Sequence, residues 1–140
     1  MKLTPNFKLS EFTYSPTALK HGISNEPNSI AVKNLQSLCV NILQPFRDHI
    51  NMPVTINSGY RCLKLNELVG GVPTSQHVVG CACDFKVKGM TPYEIASIIV
   101  GLKLPYDQLI LYPTFVHVSY CEDKCRNQLL YNKSYKGKRL

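Results

Sequence analysis

The sequence predicts one α+β domain, and three observations carry that prediction. Helical signals dominate the first 50 residues, short strand signals follow from residue 53 onward, and one capped helix near residue 91 interrupts them. At 140 residues the chain is a single domain, 1–140, large enough to bury a core without staples.

Ser10–Glu11–Phe12 is the first helical signal, and Ser15–Pro16 opens a second short turn of helix that Gly22 closes. Pro27–Asn28–Ser29 leads into the clearest helix. There Leu35, Leu38, Cys39, Ile42, Leu43, Phe46 and Ile50 follow the i, i+3, i+4, i+7 rhythm of one buried face. Pro45 falls inside that rhythm and predicts a kink, because the apolar pattern runs on through it. Pro53–Asn57 reads as a strand ended by the Ser58–Gly59 turn, and a short helix over Leu63–Val69 stops at Gly70–Gly71. Cys81–Val87 is a second strand, closed by Lys88–Gly89.

Thr91–Pro92–Tyr93–Glu94 combines a capping box with proline at the first helical position, so a helix runs to about Gly101. Gln108–Leu111 and Thr114–Tyr120 form a hairpin around Tyr112–Pro113, and Asn127–Tyr131 adds an edge strand. Residues 132–140 carry Lys133, Lys136, Lys138 and Arg139 and are expected to be a flexible basic tail.

A hydrophobic share of 44% with 18% charged residues is that of a globular chain, which excludes a disordered one. The net charge of +7 favours an anionic partner, and nucleic acid, membrane surface and cell-wall polymer all qualify. Nucleic acid ranks last, because no basic–aromatic interleaving or recognition-helix motif accompanies the charge. No stretch is long and apolar enough to span a membrane. Met1–Pro5 shows no signal-peptide pattern, so synthesis in a reducing cytosol is expected, with most of the six cysteines as free thiols. A monomer is expected.

The chemistry concentrates in Ser75–Gln76–His77–Val78–Val79–Gly80–Cys81–Ala82–Cys83–Asp84, followed downstream by His117. Two imidazoles and a carboxylate make a three-ligand zinc set that leaves a fourth position open. Strand alternation puts Ala82, Asp84 and Lys86 on one face, opposite Cys81, Cys83, Phe85 and Val87; Phe115, His117, Ser119 and Cys121 share a face of the later strand. If the two strands are neighbours, Asp84 and His117 converge, and His77 enters from the preceding loop. A rival reading takes Cys81, Cys83, Cys121 and Cys125 as a closed thiolate site. Against it, Cys83 and Cys121 point to opposite sides when Asp84 and His117 share one. A Cys121–Cys125 disulfide is the remaining cysteine alternative.

Ser58–Gly59–Tyr60–Arg61, Asn66, Val69–Gly70–Gly71, Ser75–Gln76–His77, Gly80, Ala82 and Asp84 together resemble the zinc D-alanyl-D-alanine carboxypeptidase and endopeptidase family of peptidoglycan peptidases. The similarity is to its phage endolysin-like branch, with a C-terminal-like domain of peptidase M15, subfamily A. Asp107–Ile110, Val116–Ser119, Phe7–Phe12 and Leu43–Asp48 extend it over roughly residues 7–131. The resemblance implies a small antiparallel sheet with N-terminal helices packed on it and one Zn2+ site on the sheet. It implies His77, Asp84 and His117 as ligands and Arg61 as a contact to the substrate carboxylate or carbonyl, a role suited to a planar, permanently charged fork. Ser75 takes a hydrogen bond to substrate or a supporting role, and Tyr60 and Gln76 act as support. The implied partner is a peptidoglycan peptide, reached at the bacterial wall after release or as part of a virion.

One departure stands out. The family places a carboxylate base three residues before the last histidine or at the end of the preceding strand, and this chain has Thr114 and Tyr112 there. Three alternatives follow. Asp107, Glu122 or Asp123 supplies the base; Tyr112 or Tyr120 donates to the tetrahedral intermediate; or the chain is a weakly active or inactive zinc-binding relative serving as a wall-binding or virion module.

Overall fold

The computed structural model describes residues 1–140. It opens with β1 (Lys2–Thr4) and β2 (Phe7–Lys8), a two-stranded antiparallel ribbon too short for alternation to signal. Two five-residue helices follow, α1 (Leu9–Thr13) and α2 (Pro16–Lys20). Ser15 caps α2 by accepting from the Ala18 N–H at 3.1 Å, as the Ser–Pro signal predicts.

The long helical stretch is α3 (Ser29–Leu38), a π-helical turn (Cys39–Leu43) and α4 (Gln44–Ile50). The irregularity predicted at Pro45 takes this form. Pro45 has no N–H for the usual i−4 bond, and the backbone widens just before it, so that Gln44 N–H reaches Cys39 O. Widening keeps Leu38, Ile42 and Phe46 on one fully buried face.

β3 (Thr55–Ser58), α5 (Leu63–Leu68), β4 (Ala82–Lys86), α6 (Pro92–Gly101), β5 (Gln108–Leu111), β6 (Val116–Ser119) and β7 (Gln128–Tyr131) complete the chain. The capping box at Thr91 and Glu94 is present as predicted. The large sheet runs β3-β4-β6-β5-β7. Its first four strands pair antiparallel, but β7 pairs parallel to β5, which makes the sheet mixed where an antiparallel one was expected. The reason is topological. Both edges of β6 are taken by β4 and β5, so the returning chain joins at the outer edge of β5, and it runs the same way as β5.

Cys83 and Phe85 of β4, Leu109 and Leu111 of β5, and Val116 and Val118 of β6 join the core beneath the long helical stretch. Phe46 meets Phe85 edge-on with ring centroids 5.7 Å apart, and Ile95, Ala96 and Ile99 of α6 join the same core. This single core fixes the sheet's other face, and with it the functional residues. Residues 132–140, expected as a flexible tail, make defined contacts here. Tyr135 is buried with the core, Lys138 lies 5.0 Å from the Tyr93 ring centroid, and Arg139 lies 4.6 Å from that of Tyr131.

Candidate metal centre

β4 and β6 are neighbours, and their register sets Asp84 directly opposite His117. Because Cys83, Phe85, Val116 and Val118 face the core, period-2 alternation turns Asp84 and His117 to the other face. His77 enters from a 3-10 turn (Gln76–Val79) that ends at Gly80, whose φ of +80° suits glycine. An added Cβ at Gly80 would stand 2.5 Å from the Ala31 carbonyl oxygen, so glycine also lets this turn lie against α3. One ligand atom from each of His77, Asp84 and His117 lies within 4.8 Å of the others.

The contacts around these residues settle how each imidazole is presented. His77 Nδ1 lies 2.7 Å from the Gly59 carbonyl oxygen, an acceptor only, so the ring carries its proton on Nδ1. Nε2 is then a lone pair, and it faces Asp84 Oδ1 at 3.4 Å. Two acceptors at that distance need a proton or a cation between them. Two ligands roughly 2.0–2.1 Å from a tetrahedral zinc stand roughly 3.3 Å apart, so this edge already has the spacing a zinc site requires. His117 offers Nδ1, 2.8 Å from the same carboxylate oxygen. A histidine ligand whose other nitrogen is tied to a backbone carbonyl is a recurrent metal-site arrangement, and the residues present fit zinc. Burial works against ionising Asp84, yet the hydrogen bond from His117, chiefly, outweighs it and holds the carboxyl well below the usual carboxylate range.

His77 is 3% exposed, while Asp84 and His117 keep 18% and 13%, so the group opens to solvent on the Asp84–His117 side. A cleft of about 260 Å³ adjoins it, lined by Tyr14, Asn57, Gly59, Arg61 and Asp84 among others. Arg61 is held by its backbone, donating to His77 O at 3.1 Å. Asn25 secures the same loop, donating to Tyr60 O at 2.9 Å and accepting from Cys62 N–H at 2.8 Å. Arg61 Nε is buried with no protein partner. Burial lowers the guanidinium's pKa while Asp84 and Tyr112 raise it, which places both of those groups within its electrostatic reach. Tyr112 stacks on Phe115 at 4.5 Å, and burial and Asp84 push its phenol up.

Ser75 Oγ accepts from His77 N–H at 3.2 Å and caps the turn that carries His77, which is a supporting contact. Asp107, one of three carboxylates weighed as the base, is fully buried and its carboxylate is engaged: Arg126 Nε and Nη2 donate at 2.7 and 3.0 Å, Arg126 N–H at 3.1 Å and Gln76 Nε2 at 2.9 Å. The Arg126 hydrogen bond, chiefly, holds its pKa down to about 2, so it is a poor proton acceptor. Glu122 and Asp123 are exposed, and their charges act on Tyr120 and on Cys81 and Cys125 respectively.

The four-thiolate site does not form. Cys83 lies in the core beside Cys39, whereas Cys81 sides with Cys121, and all six cysteines are free thiols. Cys125 Sγ donates to Cys121 O at 3.5 Å instead of bonding to its sulfur. Sequence reasoning missed two supports, the Gly59 carbonyl and Asn25. An added Cβ at Gly59 would lie 2.7 Å from Phe12 Cα, so only glycine lets the loop approach α1 this closely.

No curated protein matches the chain. The model of the peptidase M15 family matches residues 5–119, which spans β2 through β6 and all three of His77, Asp84 and His117. With that match over more than half its length, the chain belongs to the peptidase M15 family.

Proposed function

We propose that this chain is a zinc peptidase that hydrolyses a D-amino-acid peptide bond in peptidoglycan peptides, as a carboxypeptidase or an endopeptidase of the endolysin kind. The observation that carries this reading is the convergence of His77 Nε2, the Asp84 carboxylate and His117 Nδ1 beside a cleft that contains Arg61. When bound there, zinc supplies a Lewis acid that polarises a carbonyl and makes water nucleophilic near neutral pH.

The chain's own residues do the rest. Gly59 O fixes the His77 tautomer, and the Arg61 guanidinium, which lines the cleft, gives a substrate carboxylate or carbonyl a charged donor. Tyr112, its pKa raised, keeps its proton and donates to the oxygen on which charge develops. Solvent carries the proton of the attacking water, because no side-chain carboxylate takes that position. The enzyme acts as a monomer at the bacterial wall, reached by release from a cell or within a virion, and its positive charge holds it to an anionic envelope.

Tyr112 in the place of the family's carboxylate favours a second reading, a zinc-binding relative with little activity that serves as a wall-binding or virion module. Incubation with purified muropeptides, read by mass spectrometry, separates the two. Loss of a terminal D-alanine or of a cross-link, prevented by Arg61→Ala, supports the peptidase. Zinc-loaded protein that leaves every muropeptide intact supports the module.

A further inference from the structure

We infer that Asp107 and Gln76 form a positioning couple that sets the His77 ring from behind. The inference rests on the peptidase reading only in naming His77 a ligand. Gln76 immediately precedes His77, and its side chain donates to Asp107 Oδ2 at 2.9 Å and to Cys121 Sγ at 3.5 Å. Its backbone oxygen accepts from Cys81 N–H at 2.9 Å, which closes the turn against the start of β4. Gln76 is thus fixed at both ends, and His77 hangs between that anchor and the Gly59 carbonyl.

Asp107 is the other half of the couple. It is fully buried at the entrance to β5, and the forked donation from Arg126 compensates its charge there. Its own N–H donates to Ser119 O at 2.8 Å, and the next N–H, of Gln108, donates to Ser119 Oγ at 3.0 Å. Ser119 lies two residues beyond His117 on β6. The Asp107 carboxylate therefore fastens the turn holding His77 while the backbone at Asp107 and Gln108 fastens the His117 strand, although Asp107 touches neither ligand. Partners one step removed from a metal affect affinity by fixing ligand orientation, typically roughly 10–100-fold.

The test uses Gln76→Met, which keeps the chain length and removes the donor, and Asp107→Asn, which removes the charge. In metal-free, isotope-labelled protein the readout is hydrogen exchange of His77 Nδ1–H, the proton held by Gly59, compared with the core amide of Val118. The couple predicts that Gln76→Met accelerates exchange at His77 about tenfold or more and leaves Val118 unchanged. Zinc affinity, measured by competition with a chromogenic chelator, falls roughly 10–100-fold. The double variant binds zinc no more weakly than the weaker single variant, because both substitutions break one link.

Unchanged His77 exchange in the folded variants overturns the inference. So does equal acceleration at His77 and Val118, or a Gln76→Met chain that fails to fold, since either makes Gln76 a contributor to global stability alone. Should Asp107→Asn not fold, Gln76→Met carries the decision. A wild-type chain that takes up no zinc would end the peptidase reading, while the exchange measurement would still decide this one.

Discussion

Asp84 and His117 face each other across the β4–β6 pairing with His117 Nδ1 2.8 Å from Asp84 Oδ1, and His77 Nε2 approaches the same oxygen at 3.4 Å. A single carboxylate oxygen thus sits between two imidazoles, with no other acidic group in the cluster. Purified protein is expected to bind one zinc per chain. His77→Ala, Asp84→Ala and His117→Ala should each abolish stoichiometric binding, checked by metal analysis after dialysis. Saturating zinc should also raise the melting temperature of the wild type, by an amount equivalent to about 4 kcal/mol at a thousandfold excess over Kd, and leave the three variants unmoved. Zinc retained in His77→Ala would rule out the ligand set.

Gly59 connects the first helix to this centre. Its backbone packs against Phe12 where no Cβ fits, Tyr60 N–H donates to Phe12 O at 2.7 Å, and the Gly59 carbonyl holds His77 Nδ1. Gly59→Ala must move that carbonyl. The expected result is roughly 1–3 kcal/mol lost from stability through overpacking, together with zinc binding weakened roughly 10–100-fold. Thermal unfolding of the metal-free protein and chelator competition measure the two effects separately. Wild-type zinc affinity in this variant would show that the Gly59 contact does not orient His77.

Tyr112 carries the kinetic prediction. If its phenol donates to the developing oxyanion, Tyr112→Phe lowers kcat roughly 10–100-fold, somewhat less than the loss of a main oxyanion donor, and leaves KM near wild type. Tyr112→Glu replaces that donor with a carboxylate and should give the pH–rate profile a new acid limb as the carboxylate ionises. Muropeptide turnover against pH reads both. An unaltered kcat in Tyr112→Phe would remove Tyr112 from the chemistry.

The convergence of Asp84 and His117 is legible in the sequence because strand alternation is local. With Cys83 and Phe85 in the core, Asp84 has to face away from them, and the same alternation turns His117 out from Val116 and Val118. The helix at Thr91 is legible for a similar reason, since its cap lies within four residues. The parallel seat of β7 is not, because it depends on which of the two free sheet edges, β3 or β5, the chain takes after the other four strands have paired. Asp107 stays open as one candidate base in the sequence for a related reason. Its partners Gln76 and Arg126 lie 31 and 19 residues away along the chain, so nothing adjacent reveals that its lone pairs are taken.

Asp107 also sets an acid limit on stability. Its carboxyl is held down to about 2 from the ordinary 3.8, chiefly by the Arg126 hydrogen bond with help from Gln76. A depressed folded-state pKa stabilises the fold above the unfolded value and ceases to do so as pH falls through the folded one. The contribution is therefore complete above about pH 4 and lost between about pH 4 and 2. Because Arg126 is 41% exposed and screened by solvent, it amounts to on the order of 1 kcal/mol, less than the full shift implies. Asp107→Asn should destabilise the metal-free protein at pH 7, and the gap between variant and wild type should narrow as pH is lowered from 4 to 2. Added salt should narrow it at pH 7 as well. A gap that stays constant across this acid range would mean that the Asp107 charge contributes nothing and that only the shape of the side chain matters.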